Sequence, residues 1–171
     1  AALAPANLEK LYNRVEPGFI RVDADEVTYP AHVILRYELE RDLIEGRIEV
    51  ADIPALWDGK MQQWLGLSTQ GNYQNGCMQD IHWTDGSFGY FPSYTLGAMY
   101  AAQLRFALER ELGDMGQLIE AGRLPEIFGW LGRHIWSQGS LHGTDELIRR
   151  ATGEALNPQW LRKHLEQRYL K

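Results

Sequence analysis

Along the chain, apolar residues recur at helical spacing far more often than they alternate, and Gly, Pro, Asn and Asp punctuate the periodic stretches. Over 25–45, Leu35, Leu39 and Leu43 fall every four residues with Arg36, Glu40, Arg41 and Glu45 around them, which predicts one long amphipathic helix. Asp25 is its candidate N-cap, Pro30 marks either the first turn or a delayed start, and Gly46 suits the left-handed position beyond the end. A second helix is expected over 53–65, with Asp52 as N-cap, Pro54 in the first turn, Gly66 as terminator and Trp57, Met61, Trp64 and Leu65 as its packing residues. Periodicity vanishes over 67–91. That stretch still carries Trp83, Phe88, Tyr90 and Phe91, so it reads as an ordered loop with a functional reason for its length. Helical pattern resumes over 92–112, where Gly97, Ala98, Ala101 and Ala102 would admit close approach and predict a buried helix. Three shorter helices follow, over 124–137 with Pro125 near its start, over 145–152 behind Thr144, and over 158–169 behind Asn157. The expected fold is mainly α: six or seven helices, one ordered loop, and an allowance for a short strand within it.

Composition narrows the class. The chain has 171 residues, 44% of them hydrophobic, with six Trp, eight Tyr and five Phe to bury, so a single folded domain over 1–171 is expected and disorder is excluded. A net charge of −6 supplies no positive field for nucleic acid or anionic lipid, and apolar runs such as 96–102 fall well short of the 18 or more residues of a spanning helix. Neither nucleic acid nor a membrane is expected as a partner. One cysteine, Cys77, allows no internal disulfide and fits a reducing compartment, with the cytoplasm as the default. The start, Ala1-Ala2-Leu3-Ala4-Pro5, has no initiator Met and no basic leader, which fits either processing or a cut.

The candidate chemistry is concentrated in two places. His32, His82, His134, His142 and His164 are scattered, and no His-x3-His or Cys-x2-Cys pair marks a metal site. A turn through Gly139 and Gly143 could bring His134 and His142 together, but two imidazoles need a further ligand, and packing roles serve both residues as well. Serine-elbow, P-loop and dinucleotide fingerprints are absent from the sequence. Cys77 beside His82 is a conceivable nucleophile, against the plainer reading of a packed thiol. Arg21, in Ile20-Arg21-Val22-Asp23-Ala24-Asp25, suits a bidentate carboxylate partner, either a ligand or an internal acid such as Asp23, Asp25 or another. The segment Gly76-Cys77-Met78-Gln79-Asp80-Ile81-His82-Trp83, followed by Gly89-Tyr90-Phe91-Pro92-Ser93-Tyr94, gathers amide, carboxylate, imidazole and phenol groups. His82 and Tyr90 can both donate to a developing oxyanion, with Gln79 or Asp80 orienting the imidazole, or the same residues can form an aromatic loop core.

In order, Ile20-Arg21-x2-Ala24-Asp25, His32-x2-Leu35-Arg36-x-Glu38-x-Glu40, Gly76-x2-Gln79-Asp80-x-His82-Trp83 and Gly86-Ser87-Phe88-Gly89-Tyr90-Phe91-Pro92-x-Tyr94-x-Leu96-Gly97 resemble the carboxypeptidase Taq family of metallocarboxypeptidases. The resemblance continues through Ala101-Ala102-Gln103 and the tail Ala151-Thr152-Gly153-Glu154 and Leu156-Asn157-Pro158. It implies a zincin-like helical fold and removal of single residues from peptide carboxyl ends. It also implies zinc or cobalt as cofactor and a homodimer. The family's His-Glu-x2-His helix and its further glutamate ligand do not occur in this sequence, so the chain corresponds to a carboxy-terminal portion, expected to bind no metal and to be inactive alone. By the same resemblance Arg21, with Gln79 beside it, faces the substrate carboxylate. His82 with Tyr90 or Tyr94 faces the oxyanion, Tyr90 ranking first for its place in the loop. The competing expectation is a helical interaction module whose aromatic loop holds a partner and performs no chemistry.

Overall fold

The computed structural model describes residues 4–170; Ala1, Ala2 and Leu3, where part of the leader argument falls, lie outside the described residues. Among the described residues the chain forms eight α-helices and no strand: α1 (Pro5–Tyr12), α2 (Tyr29–Ile44), α3 (Ile53–Leu65), α4 (Pro92–Leu112), α5 (Met115–Glu120), α6 (Leu124–His134), α7 (Thr144–Thr152) and α8 (Gln159–Tyr169). The loop before α4 is built from turns, and the allowance for a strand is not taken up. The chain divides into two compact units, 1–95 and 96–171, with the first turn of α4 in the first and the rest of that helix in the second.

In the first unit, α2 begins at Tyr29, four residues later than the apolar spacing suggests. Asp25 explains the delay: its carboxylate accepts from the Val27 and Thr28 amides at 2.9 Å and from the Thr28 hydroxyl at 3.0 Å, closing a turn before the helix. Pro30 then sits in the first helical turn, where its missing N–H has no partner to lose. Gly46 (φ 68°) and Gly66 (φ 70°) follow α2 and α3 in the left-handed conformation, as expected. The core of this unit is Leu35, Leu39, Trp57, Met61 and Leu65, flanked by Phe19, Ala31, Ile48, Leu67, Cys77 and Trp83. Full burial of a side chain such as Leu35 contributes roughly 1.5–3 kcal/mol, which is what holds α2 against α3. The buried face of α2 also includes His32, Arg36 and Glu40, three polar residues one turn apart. The charges of Arg36 and Glu40, read from the sequence as the helix's outer face, point inward.

In the second unit, Ala107, Leu108, Leu118, Ile127, Trp130 and Ala151 form an apolar core from α4, α5, α6 and α7. Among the described residues of this unit Thr152 and, more deeply, Gln103 are buried polar side chains. The Gln103 amide donates to Thr152 Oγ1 at 2.9 Å and to the Ala155 carbonyl at 3.0 Å, and accepts from the Asn157 amide at 2.8 Å. Every polar atom of that side chain is thereby used, which is what allows an amide to be buried. Ala102 is buried as the small-residue pattern predicts, but Gly97 and Ala101 are exposed, so the stripe is only partly a packing face. Predicted over 124–137, α6 ends at His134 and gives way to a single 3-10 turn, Trp136–Gln138. Two short helices escape the pattern, α1 and α5; Asp114 caps α5 by accepting from the Gln117 amide at 2.9 Å.

Candidate functional site

The long loop of the first unit is held by side chains rather than by a backbone ladder. Gln79 ties it to the segment before α2: its Oε1 accepts from the Arg21 amide at 2.8 Å, and its Nε2 donates to the carbonyls of Phe19, Asn75 and Gly76 at 3.0, 2.8 and 3.1 Å. Next to it, Asp80 lies between two arginines. Oδ1 accepts from Arg21 Nε at 3.0 Å and faces Nη2 at 2.9 Å, while Oδ2 accepts from Arg36 Nε at 2.6 Å. Arg21 also donates from Nη1 to the Tyr29 hydroxyl at 2.7 Å, and Arg36 from Nη1 to the His32 carbonyl at 2.8 Å.

All three charges are withdrawn from water: Arg36 is 0% and Arg21 6% exposed. Burial works to raise Asp80, but Arg36 and Arg21 outweigh it and hold the carboxyl below the usual range. Burial pushes Arg36 down to about 10 despite the pull of Asp80, and Arg21, for which burial is likewise the largest influence, stands raised because Asp80 and Tyr29 oppose it. His32 is fully buried beside Arg36, and burial, then that guanidinium, push its imidazole down to about 4, so it is neutral at pH 7. Two guanidinium ions against one carboxylate leave the cluster one positive charge in excess. Buried charge of one sign is stabilised by an anion, and this excess suits one carboxylate.

An imidazole and two phenols stand beside the cluster. His82 Nε2 and the Tyr94 hydroxyl are 3.0 Å apart, and His82 Nδ1 lies 3.9 Å from Asp80 Oδ1, beyond hydrogen-bond reach. Phe91, buried, packs against the imidazole with ring centres 4.2 Å apart and planes tilted by 31°. The Tyr90 ring lies 5.8 Å from His82 and 5.4 Å from Tyr94, with half of the residue exposed. The Arg21 guanidinium sits 5.0 Å from the Tyr94 ring centre, a cation–π distance. The structure therefore brings Arg21, Gln79, His82, Tyr90 and Tyr94 into one neighbourhood, with Asp80 at its centre. The acid that Arg21 meets is Asp80 and neither Asp23 nor Asp25. The imidazole meets the hydroxyl of Tyr94, whereas Tyr90 makes ring contacts to both.

The remaining candidates separate from this site. Cys77 packs against the apolar core, and burial pushes its thiol up, the reverse of what a nucleophile needs. His134 stacks on Trp130 at 4.5 Å, its Nε2 3.9 Å from Glu111. Among the described residues no group of three or more His, Cys, Asp or Glu could hold a metal ion. A metal cofactor therefore does not fit the residues described. Arg36, Glu40 and Tyr29 are site residues that apolar periodicity passed over. The four-residue spacing of His32, Arg36 and Glu40 was the signal available, a polar stripe lying on the side of α2 that also carries Leu35 and Leu39.

Residues 2–169 match the Carboxypeptidase Taq (M32) metallopeptidase family, and the chain is a member of it. It is 43% identical over 157 residues to Carboxypeptidase 1 of Bacillus subtilis, covering 92% of this chain and 31% of the relative. To Thermostable carboxypeptidase 1 of Thermus thermophilus it is 40% identical, covering 99% of this chain and 34% of the relative. Among solved structures, Trypanosoma Cruzi Metallocarboxypeptidase 1 superposes with a TM-score of 0.95 at 51% identity, over 99% of this chain and 36% of that one. The helical fold is thus that of its family, and the chain spans about a third of the length of these relatives. Among the described residues no helix is long and apolar enough to cross a membrane.

Proposed function

We propose that this chain is the carboxy-terminal part of a metal-dependent carboxypeptidase that releases single residues from peptide carboxyl ends, and that it supplies the groups that receive the substrate. The observation that carries the reading is the buried Arg21–Asp80–Arg36 cluster, with its unbalanced positive charge, adjoining His82, Tyr90 and Tyr94. Arg21 takes the terminal carboxylate, with a charge-assisted bond worth roughly 1.5–3 kcal/mol. Gln79 acts on substrate binding through Arg21, whose backbone it fixes. Tyr90, with half of its surface in solvent, donates to the carbonyl oxygen, and the His82–Tyr94 pair turns a second donor toward the same oxygen. Zinc or cobalt belongs to the full-length protein, held outside these residues, and the chain alone is inactive. A cytoplasmic homodimer is part of the same reading, resting on the family resemblance and the single cysteine.

The test is made in the full-length enzyme. Arg21→Ala should raise KM for peptides with a free carboxylate and hardly affect amidated ones, whereas His82→Ala or Tyr90→Phe should lower kcat by about 10²- to 10³-fold. Equal losses on free and amidated peptides would refute the Arg21 assignment. Hydrolysis by this chain in isolation would refute the inactive-part reading. No hydrolysis by the full-length protein would leave the interaction module as the correct account.

A further inference from the structure

We infer that Glu40 is a positioning residue that sets the spacing of His82 and Tyr90, an inference that rests on the roles proposed for those two side chains. Glu40 is 3% exposed on the inward face of α2. Its Oε2 accepts from the Trp83 indole N–H at 2.7 Å, and its Oε1 accepts a short hydrogen bond from the Gly89 amide. Trp83 is the residue after His82, and Gly89 is the residue before Tyr90. One carboxylate therefore grips both ends of the 83–89 segment, each grip one residue from a proposed catalytic side chain.

Packing does not do this work on its own. A hollow of about 370 Å³ opens beside the segment, lined by Tyr37, Glu40, Ile44, Phe88, Gly89 and Pro92, and Phe88 is itself half exposed. The segment has room to shift there. What opposes the shift is the pair of bonds to Glu40, together with the local turn in which the Ser87 amide donates to the His82 carbonyl at 2.8 Å. A carboxylate can accept from both donors at once. A glutamine of the same shape accepts at its carbonyl oxygen only and sets its NH2 against the other N–H.

The experiment has two readouts. On this chain, Glu40→Gln should accelerate hydrogen exchange of the Gly89 amide while the amides of α7 exchange as before. In the full-length enzyme the same change should lower kcat roughly 10- to 100-fold with KM within about threefold, the pattern of a displaced reacting group with binding intact. Trp83→Phe removes one donor and keeps an aromatic ring; it should give a smaller kcat loss, and the double variant should lose less than the product of the two. If Glu40→Gln fails to fold, Trp83→Phe decides alone. Values of kcat within about twofold of wild type for the variants that fold, while His82→Ala and Tyr90→Phe are impaired, would overturn the inference. So would a kcat loss with Gly89 exchange unchanged. Intact kcat in His82→Ala and Tyr90→Phe would sink the functional reading instead, and this inference with it.

Discussion

The two units bury polar groups in opposite ways. Among its described residues the second buries uncharged polar side chains, Thr152 and Gln103, the latter with all its hydrogen bonds made. The first encloses ionisable ones: Arg21 and Arg36 share Asp80, a set with one positive charge in excess, while the Glu40 carboxylate is buried apart from it on Trp83 and Gly89 and the His32 imidazole is neutral. Neutral satisfied groups stabilise a fold at little risk, whereas buried ions rarely repay their desolvation through stability alone. The buried charges of the first unit are the ones the proposed site uses, and the second unit has no counterpart to them among its described residues.

Single substitutions should separate the two sharply. Asp80→Asn leaves Arg36 buried without its counter-ion and should cost about 3–5 kcal/mol, read as a fall in the denaturant midpoint. Trp130→Ala should cost a comparable 3–5 kcal/mol, but by opening a cavity, so an apolar ligand in the gap should restore part of it and do nothing for Asp80→Asn. Recovery of Asp80→Asn by such a ligand would erase the contrast.

Titration sharpens it further. With His32 held at about 4 in the folded chain, against an ordinary 6.5, the unfolded chain binds the extra proton in between. The stability from the neutral imidazole is complete above pH 6.5 and lost as pH falls toward 4, a change of roughly 3 kcal/mol. Asp80, depressed rather than raised, keeps its contribution until pH falls below the usual carboxylate range, so the two losses occupy separate windows. His32→Gln should flatten the unfolding midpoint between pH 4 and 6.5 and leave the more acidic loss in place. Persistence of the whole slope in that variant would show that other groups produce it.

The smallest effect concerns backbone alone. Gly66 has open space where a Cβ would go, yet its φ is 70°, so Gly66→Ala should cost about 1–2 kcal/mol through conformation and nothing through packing. A neutral result in thermal unfolding would mean that the turn relaxes.

Much of the helical framework was legible because helix stops are local chemistry. Pro54 and Gly66 bound α3 as expected, and α7 begins at Thr144 and stops before Gly153. The six residues of α5 are too few to show a period, although Asp114 three places before Gln117 was a capping signal. At the site, Arg21, Gln79, His82, Tyr90 and Tyr94 stood out by residue type and by resemblance. Arg36 and Glu40 lay within a motif of that resemblance but were given no role at the site, because a charged residue on an amphipathic helix is ordinarily at its wet face.

By itself the sequence determined where the longer helices form to within a few residues, much of the apolar surface they bury and to which family the chain belongs. Those depend on spacing and capping within a few residues, and on ordered motifs. Only the tertiary structure decided that Asp80 is shared by two arginines 59 and 44 positions away, that Tyr94 rather than Tyr90 meets the imidazole, and that Glu40 turns inward to hold the loop. A charge enters the interior when a partner waits there, and that partner comes from a distant stretch of chain that no local period encodes.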